Sequence, residues 1–366
     1  MKFIPQVQPY ITENEIKAVV EYLQSGGWLT EFEKTQEFEK MIADFLGVKY
    51  AVVVTSGTVA LYLALLSLGI GKNDSVIVPD YTMIASPNSV KWAGAEVILC
   101  DIEKDTMCLD LNKVKLKKNT KALMYVSING RSGNMNKVVE FCKDNNLFLI
   151  EDACQAFGSK WNGKFLGTFG DVGCLSFTPH KIITTGQGGA VVTNNEEIYI
   201  KVKKLKDFYR TQPGVDWHMG IGYNFKFTDL QAVIGIEQLK TIDYRIKKKK
   251  EIYFMYMEML QDCEFIRFLP IDLENVVPWF VDIIVESEET RDKLSLYLKK
   301  MNIGSRPFYP PIHAQIPYKA KDTLYSVASE IAPRGLWLPS SINLNKNDIE
   351  YITNTIKKFF MDNSNA

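Results

Sequence analysis

Four short segments of the chain carry side chains suited to holding an anionic cofactor and to moving protons. They occupy residues 55–58, 150–155, 176–181 and 220–226. The first joins a predicted strand to a predicted helix, so its free backbone N–H groups would suit a phosphate. Taken alone, a Ser or Thr at such a turn is more often a plain helix cap.

The other three segments add an acid, a lysine and a glycine-containing loop. Asp152 follows a buried strand, at the edge of a sheet where α/β folds bind ligands, although a second helix cap is an equal alternative. Lys181 lies between a strand and the GQGG turn at 186–189. A lysine in apolar or cationic surroundings can have a lowered pKa and form a Schiff base. Alone, a single lysine is usually a surface residue, and segment 220–226 indicates only a loop before a capped helix.

Together the four segments supply the parts of a site for pyridoxal 5′-phosphate (PLP). Lys181 would hold the aldehyde as a Schiff base and later move protons. Asp152 would keep the pyridine nitrogen protonated, which lets the ring accept electrons from the substrate carbon. Hydroxyl groups and the helix N-terminus would hold the phosphate. The combination, and not any single motif, indicates PLP chemistry.

These residues must be positioned by alternating strands and helices. The spacing predicts strands at 50–54, 76–78, 97–99, 123–128, 147–150, 173–177 and 190–193. It predicts helices at 12–24, 31–46, 56–68, 83–93 and 136–145. Thr12 and Glu15 have the spacing of a capping box. This alternation predicts an α/β fold with a mostly parallel sheet that helices cover on both faces.

The last third of the chain predicts a smaller α+β domain. A long helical periodicity from 228 to 261 is followed by a candidate strand at 278–285 and a closing helix at 347–360. We predict a large PLP-binding domain over 1–245, including the N-terminal helical segment, and a small C-terminal domain over 246–366.

The run of basic residues at 245–250 belongs to the long helical stretch. A charge run of this kind is typical of a solvated helix face rather than of an anion site. The sequence therefore predicts that these side chains point to solvent.

Composition excludes several functional classes. The 366 residues include 43 basic and 43 acidic side chains, so the formal net charge is zero, and no nucleic-acid partner is expected. No apolar run reaches about 18 residues, so no membrane span is expected. The first residues lack the apolar core of a signal peptide, and we expect a cytoplasmic protein. The six cysteines and three histidines fit no zinc pattern, so no metal site is predicted.

The ordered motifs resemble the DegT/DnrJ/StrS family of PLP-dependent sugar aminotransferases. The matching stretches run over most of the chain, and they are TSGTVALYLAL (55–65), VPDYTMIASPNSV (78–90), IEDACQAFGS (150–159), GTFGDVGCLSF (167–177), KIITTGQGGAVVTN (181–194), GYNFKFTDLQAVIG (222–235), PIHAQIPY (311–318) and LWLPSS (336–341). The resemblance implies the aspartate aminotransferase (type I PLP) fold, with a mostly parallel central sheet and a smaller C-terminal α+β domain.

The resemblance also implies roles for residues around the cofactor ring. Lys181 matches the Schiff-base lysine, Asp152 the partner of the pyridine nitrogen, and Gln155 the residue near the ring hydroxyl. Counting back from the GQGG turn places Lys181, and not His180, on the family's lysine position. This register implies a transaminase, because relatives with histidine at that position are sugar 3-dehydratases.

The phosphate end follows the family pattern as well. Gly57, Thr58 and Ser176 match its phosphate-binding positions. Asn224 matches a phosphate contact that the family supplies from the neighbouring subunit. The resemblance therefore implies a homodimer with shared active sites.

The chain departs from the family pattern at three places. Met83 stands where an aromatic ring usually stacks on the cofactor, and its thioether can pack on a ring face instead. The turn at 186–189 reads GQGG where GEGG is usual. The loop 129–133 replaces a His-containing segment, and its Arg131 either contacts the substrate or braces the loop.

The activity that the resemblance implies is ping-pong transamination, in which the cofactor alternates between PLP and pyridoxamine phosphate (PMP). L-Glutamate is the expected donor, and a nucleoside-diphosphate 4-keto-6-deoxyhexose is the expected acceptor. Arg306, Tyr309 and His313 are candidate contacts to the nucleotide sugar, against the alternative of a structured Pro-rich loop. The acceptor could instead be a 3-keto or UDP-linked acetamido keto sugar, and the chain could instead be a non-catalytic PLP-binding regulator.

Overall fold

A computed structural model describes residues 3–212 and 214–364. Its helices are α1 (Glu13–Gln24), α2 (Glu33–Leu46), α3 (Gly57–Ser67), α4 (Ala85–Trp92), α5 (Met135–Asp144), α6 (Glu196–Lys206), α7 (Asp229–Lys240), α8 (Ile242–Leu260), α9 (Glu288–Lys300), α10 (Ser326–Ile331) and α11 (Lys346–Ser364). Its strands are β1 (Tyr50–Val54), β2 (Ser75–Pro79), β3 (Glu96–Cys100), β4 (Thr120–Val126), β5 (Phe148–Asp152), β6 (Lys160–Trp161), β7 (Lys164–Phe165), β8 (Val172–Ser176), β9 (Gly189–Thr193), β10 (Val281–Ile284), β11 (Arg306–Pro307) and β12 (Gly335–Leu338). None of the described helices combines the length and the apolar character that a membrane crossing requires.

The main sheet has seven strands in the order β1-β9-β8-β5-β4-β2-β3. β9 runs antiparallel to both neighbours, and the other adjacent pairs are parallel. Side chains alternate between two buried clusters: Ile77 and Leu123 face one, while Val76, Val78 and Met124 face the other. Because both faces are buried, these strands are continuously hydrophobic, and the predicted mostly parallel, doubly covered sheet is confirmed.

Helices cover the two faces of the sheet as follows. Apolar residues of α3 and α6 belong to one buried cluster, and those of α2, α5 and α7 belong to the other. The predicted capping box at the start of α1 is present, since the Thr12 and Glu15 side chains each accept a hydrogen bond at the helix start.

The C-terminal region contains a three-stranded antiparallel sheet in the order β10-β12-β11. Its apolar residues form a third buried cluster with α8, α9 and α11. The strand that was predicted at 278–285 is shorter in the structure, because only Val281–Ile284 pairs with β12. The predicted domain boundary between 245 and 246 lies inside α8 and stays a prediction.

The predicted helical stretch from 228 to 261 is two helices. Thr241 ends α7 and begins α8 with a backbone conformation outside the helical range, at φ −108° and ψ 16°. The predicted strand at 123–128 ends at Val126, because Ile128–Gly130 forms a short 3₁₀ turn in which Asn129 has φ +50°.

The prediction that the basic run at 245–250 faces solvent is wrong for two of its members. Arg245 and Lys249 are buried. They lie four residues apart, on one face of α8, and that face packs inward. The Arg245 guanidinium forms an ion pair with the buried Glu15 carboxylate at 2.9 Å, and the Lys249 ammonium donates to the backbone carbonyls of Trp279 and Ser340. Lys247, on the opposite face, is exposed as predicted.

A second buried ion pair joins the main sheet to the small sheet. The Arg131 guanidinium, in the loop after β4, donates to both carboxylate oxygens of Asp282 in β10. It also donates to the Tyr253 hydroxyl of α8 at 3.1 Å. All of these groups are buried. Of the two roles considered for Arg131, the structure supports the one in which it braces the loop.

Replacing Arg131 by Ala should lower the free energy of unfolding by about 3–5 kcal/mol, because it leaves the Asp282 carboxylate buried without its partner. Urea unfolding of the full chain measures the change. Lys17→Ala is the matched control, since the exposed Lys17–Glu21 pair contributes no more than about 1 kcal/mol. Equal, small effects of both substitutions would show that the buried pair does not stabilise the fold.

Candidate active site

A cavity of about 350 Å³ lies at the carboxyl ends of the parallel strands. This volume is within the range of ligand pockets, about 300–1,000 Å³. The nine predicted site residues that line the cavity are Gly57, Thr58, Met83, Asp152, Gln155, Ser176, Lys181, Arg306 and Tyr309. The structure therefore gathers residues from loops after β1, β2, β5 and β8 with residues of the C-terminal region.

The N-terminus of α3 forms one end of the cavity. The Ser56 hydroxyl caps the helix by accepting from the Val59 backbone N–H at 3.2 Å. A Cβ atom on Gly57 would lie 2.8 Å from both the Cys154 sulfur and the Ser176 Cβ. Glycine is required here because the helix start is pressed against the ends of β5 and β8. Backbone N–H groups with the Thr58 and Ser176 hydroxyls provide donors that fit a phosphate.

Asp152, the last residue of β5, presents a buried carboxylate with a fixed orientation. One oxygen accepts from the Ser86 hydroxyl at 2.7 Å, and the other accepts from the Cys154 backbone N–H at 3.2 Å. The Ser86 hydroxyl also contacts the Thr82 hydroxyl at 2.9 Å. These contacts hold the acid in the cavity wall, where it fits the role of partner to a pyridine nitrogen.

Gln155 is held by the loop after β4. Its side-chain carbonyl accepts from the Asn129 backbone N–H at 2.8 Å, and the Asn129 side chain both donates to and accepts from the backbone of Phe280. Because its carbonyl is engaged, the group that Gln155 can offer a ligand is its N–H donor. A donor at this place fits an oxygen on the cofactor ring.

Lys181 projects into the cavity between these groups. Burial lowers the pKa of its ammonium to about 8; the nearby Cys154 and Asp152 oppose the shift, and Arg306 adds to it. Within residues 3–212 and 214–364 the ammonium has no ion pair and no hydrogen bond, and it lies 3.9 Å from the centroid of the Trp279 ring. At pH 7 about a tenth of such a lysine is the neutral, nucleophilic amine. This chemistry fits bond formation to an aldehyde.

Arg306 brings a second positive charge to the cavity. Its guanidinium lies over the rings of Tyr309 and Trp337, at 5.3 and 5.5 Å. No carboxylate of the described chain forms an ion pair with it. An unpaired guanidinium at a cavity wall recognises carboxylate or phosphate groups. Tyr309 is fixed beside it, since its ring packs edge-on against Trp337.

Two predicted residues are not part of the cavity lining. Asn224 is exposed, and its backbone forms an isolated antiparallel bridge with Asp207. His313 is 1% exposed, and its ring bonds to Asp80 at 2.6 Å and to Asp322 at 3.1 Å. His313 thus fastens the Pro-rich loop to the residue after β2. Its predicted contact to the nucleotide sugar has no support in this geometry.

The sequence interpretation missed Trp279, which lines the cavity and covers Lys181. In the sequence, Trp279 stands at the start of an apolar segment, and any tryptophan of the hydrophobic core can have this position. The contact joins residues far apart in the chain, so no short motif could reveal it.

Comparison with known proteins identifies relatives over the whole chain. The model of the DegT/DnrJ/EryC1/StrS aminotransferase family matches residues 9–357. GDP-perosamine synthase from Escherichia coli O157:H7 is 38% identical, over 99% of this chain and 100% of the relative. GDP-perosamine synthase from Vibrio cholerae is 36% identical, over 98% of this chain and 99% of the relative.

Solved structures show the same similarity in three dimensions. A putative sugar aminotransferase, Spr1654 from Streptococcus pneumoniae, superposes in its PMP form with a TM-score of 0.93 at 26% identity, over 100% of both chains. Its PLP form gives a TM-score of 0.92, over 98% of this chain and 99% of that one. The predicted type I PLP fold is therefore confirmed.

Gly57→Ala should raise the dissociation constant of PLP at least about tenfold, because the added methyl group displaces the Cys154 and Ser176 side chains at the phosphate end. Titration of the cofactor-free protein with PLP, followed by absorbance, measures the change.

Gly71→Ala is the matched control, since the nearest atom to its Cβ would be at an ordinary 3.5 Å. Unchanged PLP binding by the Gly57→Ala protein would mean that the start of α3 does not hold the phosphate.

Proposed function

Because the chain belongs to the DegT/DnrJ/EryC1/StrS aminotransferase family, and is therefore a PLP-dependent sugar aminotransferase, we propose that it aminates a nucleotide-linked 4-keto sugar. The donor is L-glutamate, and the acceptor is a nucleoside-diphosphate 4-keto-6-deoxyhexose. The product is a 4-amino-4,6-dideoxy sugar nucleotide.

The observation that carries this proposal is the composition of a single cavity. It combines a lysine of lowered pKa, a fixed carboxylate, a phosphate-binding helix start and an unpaired guanidinium. The first three fit PLP, and the fourth fits an anionic substrate. The full-length similarity to GDP-perosamine synthases supports the choice of a 4-keto-6-deoxyhexose.

PLP, when bound, supplies an electron-accepting ring that stabilises negative charge on the substrate carbon. Asp152 would keep the pyridine nitrogen protonated. Hydrogen bonds from Ser86 and from the Cys154 backbone hold its carboxylate in place. The Lys181 Nζ atom would act as the base that takes the α-proton of the donor and would hold that proton for return. Met83 lines the cavity, and its thioether would pack on the face of the cofactor ring.

Arg306 gives the cavity a site for the negative charge of each substrate. The donor carries carboxylates, and the acceptor carries a diphosphate. Since the reaction has two half-reactions with one cavity, we infer that the same guanidinium serves both in turn. The two aromatic rings beneath the Arg306 guanidinium keep it in the cavity wall. No carboxylate of the described chain neutralises its charge.

L-Glutamate alone should convert the PLP-loaded protein to its pyridoxamine form. Absorbance spectra should show loss of the yellow PLP band and growth of the PMP band. Lys181→Ala should lower turnover at least about a thousandfold, because it removes both the nucleophile and the proton carrier. Lys203→Ala, a change at an exposed lysine of α6, is the control.

A persistent yellow band would exclude glutamate as donor. With glutamate accepted, a panel of keto sugars distinguishes the acceptors: a GDP-linked 4-keto-6-deoxyhexose, a 3-keto sugar and a UDP-linked 2-acetamido-4-keto sugar. Turnover of either of the last two, without the first, would contradict the proposed substrate. If no keto sugar is aminated and glutamate does not convert PLP to PMP, a non-catalytic regulator would be favoured.

We further propose that two copies of the chain share their active sites. Asn224, the expected phosphate contact from the neighbouring subunit, is exposed and lies outside the cavity of its own chain. The loop before it exposes three large apolar side chains: Trp217, Met219 and Ile221. An apolar surface beside a polar residue without a ligand in its own subunit suits a subunit interface.

Mixed dimers test this sharing of sites. Lys181→Ala and Asn224→Asp chains should each be inactive, the second because its carboxylate repels the phosphate. Co-expressed at equal levels, they should recover about a quarter of the wild-type activity, because half of the dimers are mixed and each has one intact site.

Lys181→Ala paired with Asp152→Ala is the control. Both side chains line the cavity of one subunit, so no mixed dimer has an intact site, and activity should stay absent. Failure of the first pair to recover activity would place Asn224 outside the partner's site.

A further inference from the structure

The Lys181 ammonium contacts the face of the Trp279 ring. The nitrogen lies 3.9 Å from the ring centroid, well inside the range of about 6 Å for a cation–π interaction. Trp279 belongs to the C-terminal region, in the segment that leads into β10, whereas Lys181 follows β8 of the main sheet. The contact therefore joins the reactive lysine to a different part of the fold.

Trp279 is held rigidly by its neighbours. Its indole N–H donates to the backbone carbonyl of His180 at 2.8 Å. Its own backbone carbonyl accepts from the buried ammonium of Lys249. Its ring stacks on Phe280, with centroids 3.9 Å apart and an interplanar angle of 23°. A ring fixed at so many points presents a constant face to Lys181.

The same segment is also connected to Gln155 in the cavity wall. Phe280 exchanges two backbone hydrogen bonds with the Asn129 side chain, and the Asn129 backbone N–H donates to Gln155. Hydrogen bonds thus connect this segment to the cavity wall in two ways: Trp279 bonds to His180, and Phe280 bonds to Asn129, which bonds to Gln155.

We propose that Trp279 is a positioning residue, whose ring holds the free, protonated Lys181 and so sets how much of this lysine is reactive amine. The proposal rests on the proposed role of Lys181 as the cofactor lysine. A protonated amine is inert as a nucleophile and as a base. The attraction of the ring for a cation therefore opposes the effect of burial, and the balance between the two fixes the reactive fraction.

Several charged or titratable groups also face Lys181, and they must stay constant in any test. Asp152 and Cys154 lie on the β5 side and favour the cation, while Arg306 of β11 disfavours it. His180 is the preceding residue, and its own pKa is lowered by burial and by Lys181 and Arg306. A replacement of Trp279 by a smaller residue would admit water and disturb all of these groups at once.

Fluorinated tryptophan avoids that disturbance. Site-specific incorporation of mono-, di- and trifluorotryptophan at position 279 removes negative charge from the ring face stepwise and keeps the shape of the ring. The pKa of Lys181 in the cofactor-free full chain is then measured from the pH dependence of its acylation by acetic anhydride, read by mass spectrometry. We expect it to fall at each step, by a total of about half a unit to one unit.

The same three analogues at Trp161 are the matched control. This ring packs edge-on against Phe169, 6.1 Å away, and does not line the cavity. A constant or rising pKa of Lys181 across the series at 279, or an equal fall with the series at 161, would overturn the proposal. The labelling requires no amino transfer, so its outcome is independent of whether glutamate and a keto sugar are the substrates.

Discussion

A desolvated lysine without an ion-pair partner is the constraint on which this cavity depends. Burial lowers the pKa of Lys181, and the nearest carboxylate, on Asp152, does not neutralise it. Both oxygens of Asp152 already accept hydrogen bonds from Ser86 and from the Cys154 backbone. The orientation of the acid is thereby fixed, and the lysine has no ion-pair partner within the described chain.

Other buried basic side chains, in contrast, have partners within the fold. Arg131 and Arg245 each have a buried carboxylate, and Lys249 has two backbone carbonyls. Arg131 and Lys249 fasten the segment around β10 to the loop after β4 and to α8, which places Trp279 against the cavity. These hydrogen-bonded basic side chains thus position the residues around Lys181, because a buried polar group whose partners are all in place has a fixed geometry.

The cavity wall also contains a positive charge that no described carboxylate neutralises. Arg306 is held by aromatic faces and not by a carboxylate, so its charge is available to each ligand. Gln187, which lines the same cavity, adds no negative charge. A site with this charge distribution attracts anionic donors and acceptors alike.

The sequence by itself determined the seven strands of the main sheet, helices α1 to α5 and the motif-bearing turns, because strand and helix periodicity and capping are local properties of the chain. It also placed Lys181, Asp152, Gln155 and the phosphate turn, since the family motifs are short and contiguous. Tertiary structure alone decided which charges are buried: Arg245 and Lys249 share a run with the exposed Lys247, and only the packing of α8 separates them. It also decided that Trp279 meets Lys181 and that His313 binds Asp80, because both contacts join segments far apart in the chain. Such contacts depend on how the two sheets pack together, and no local pattern encodes that packing.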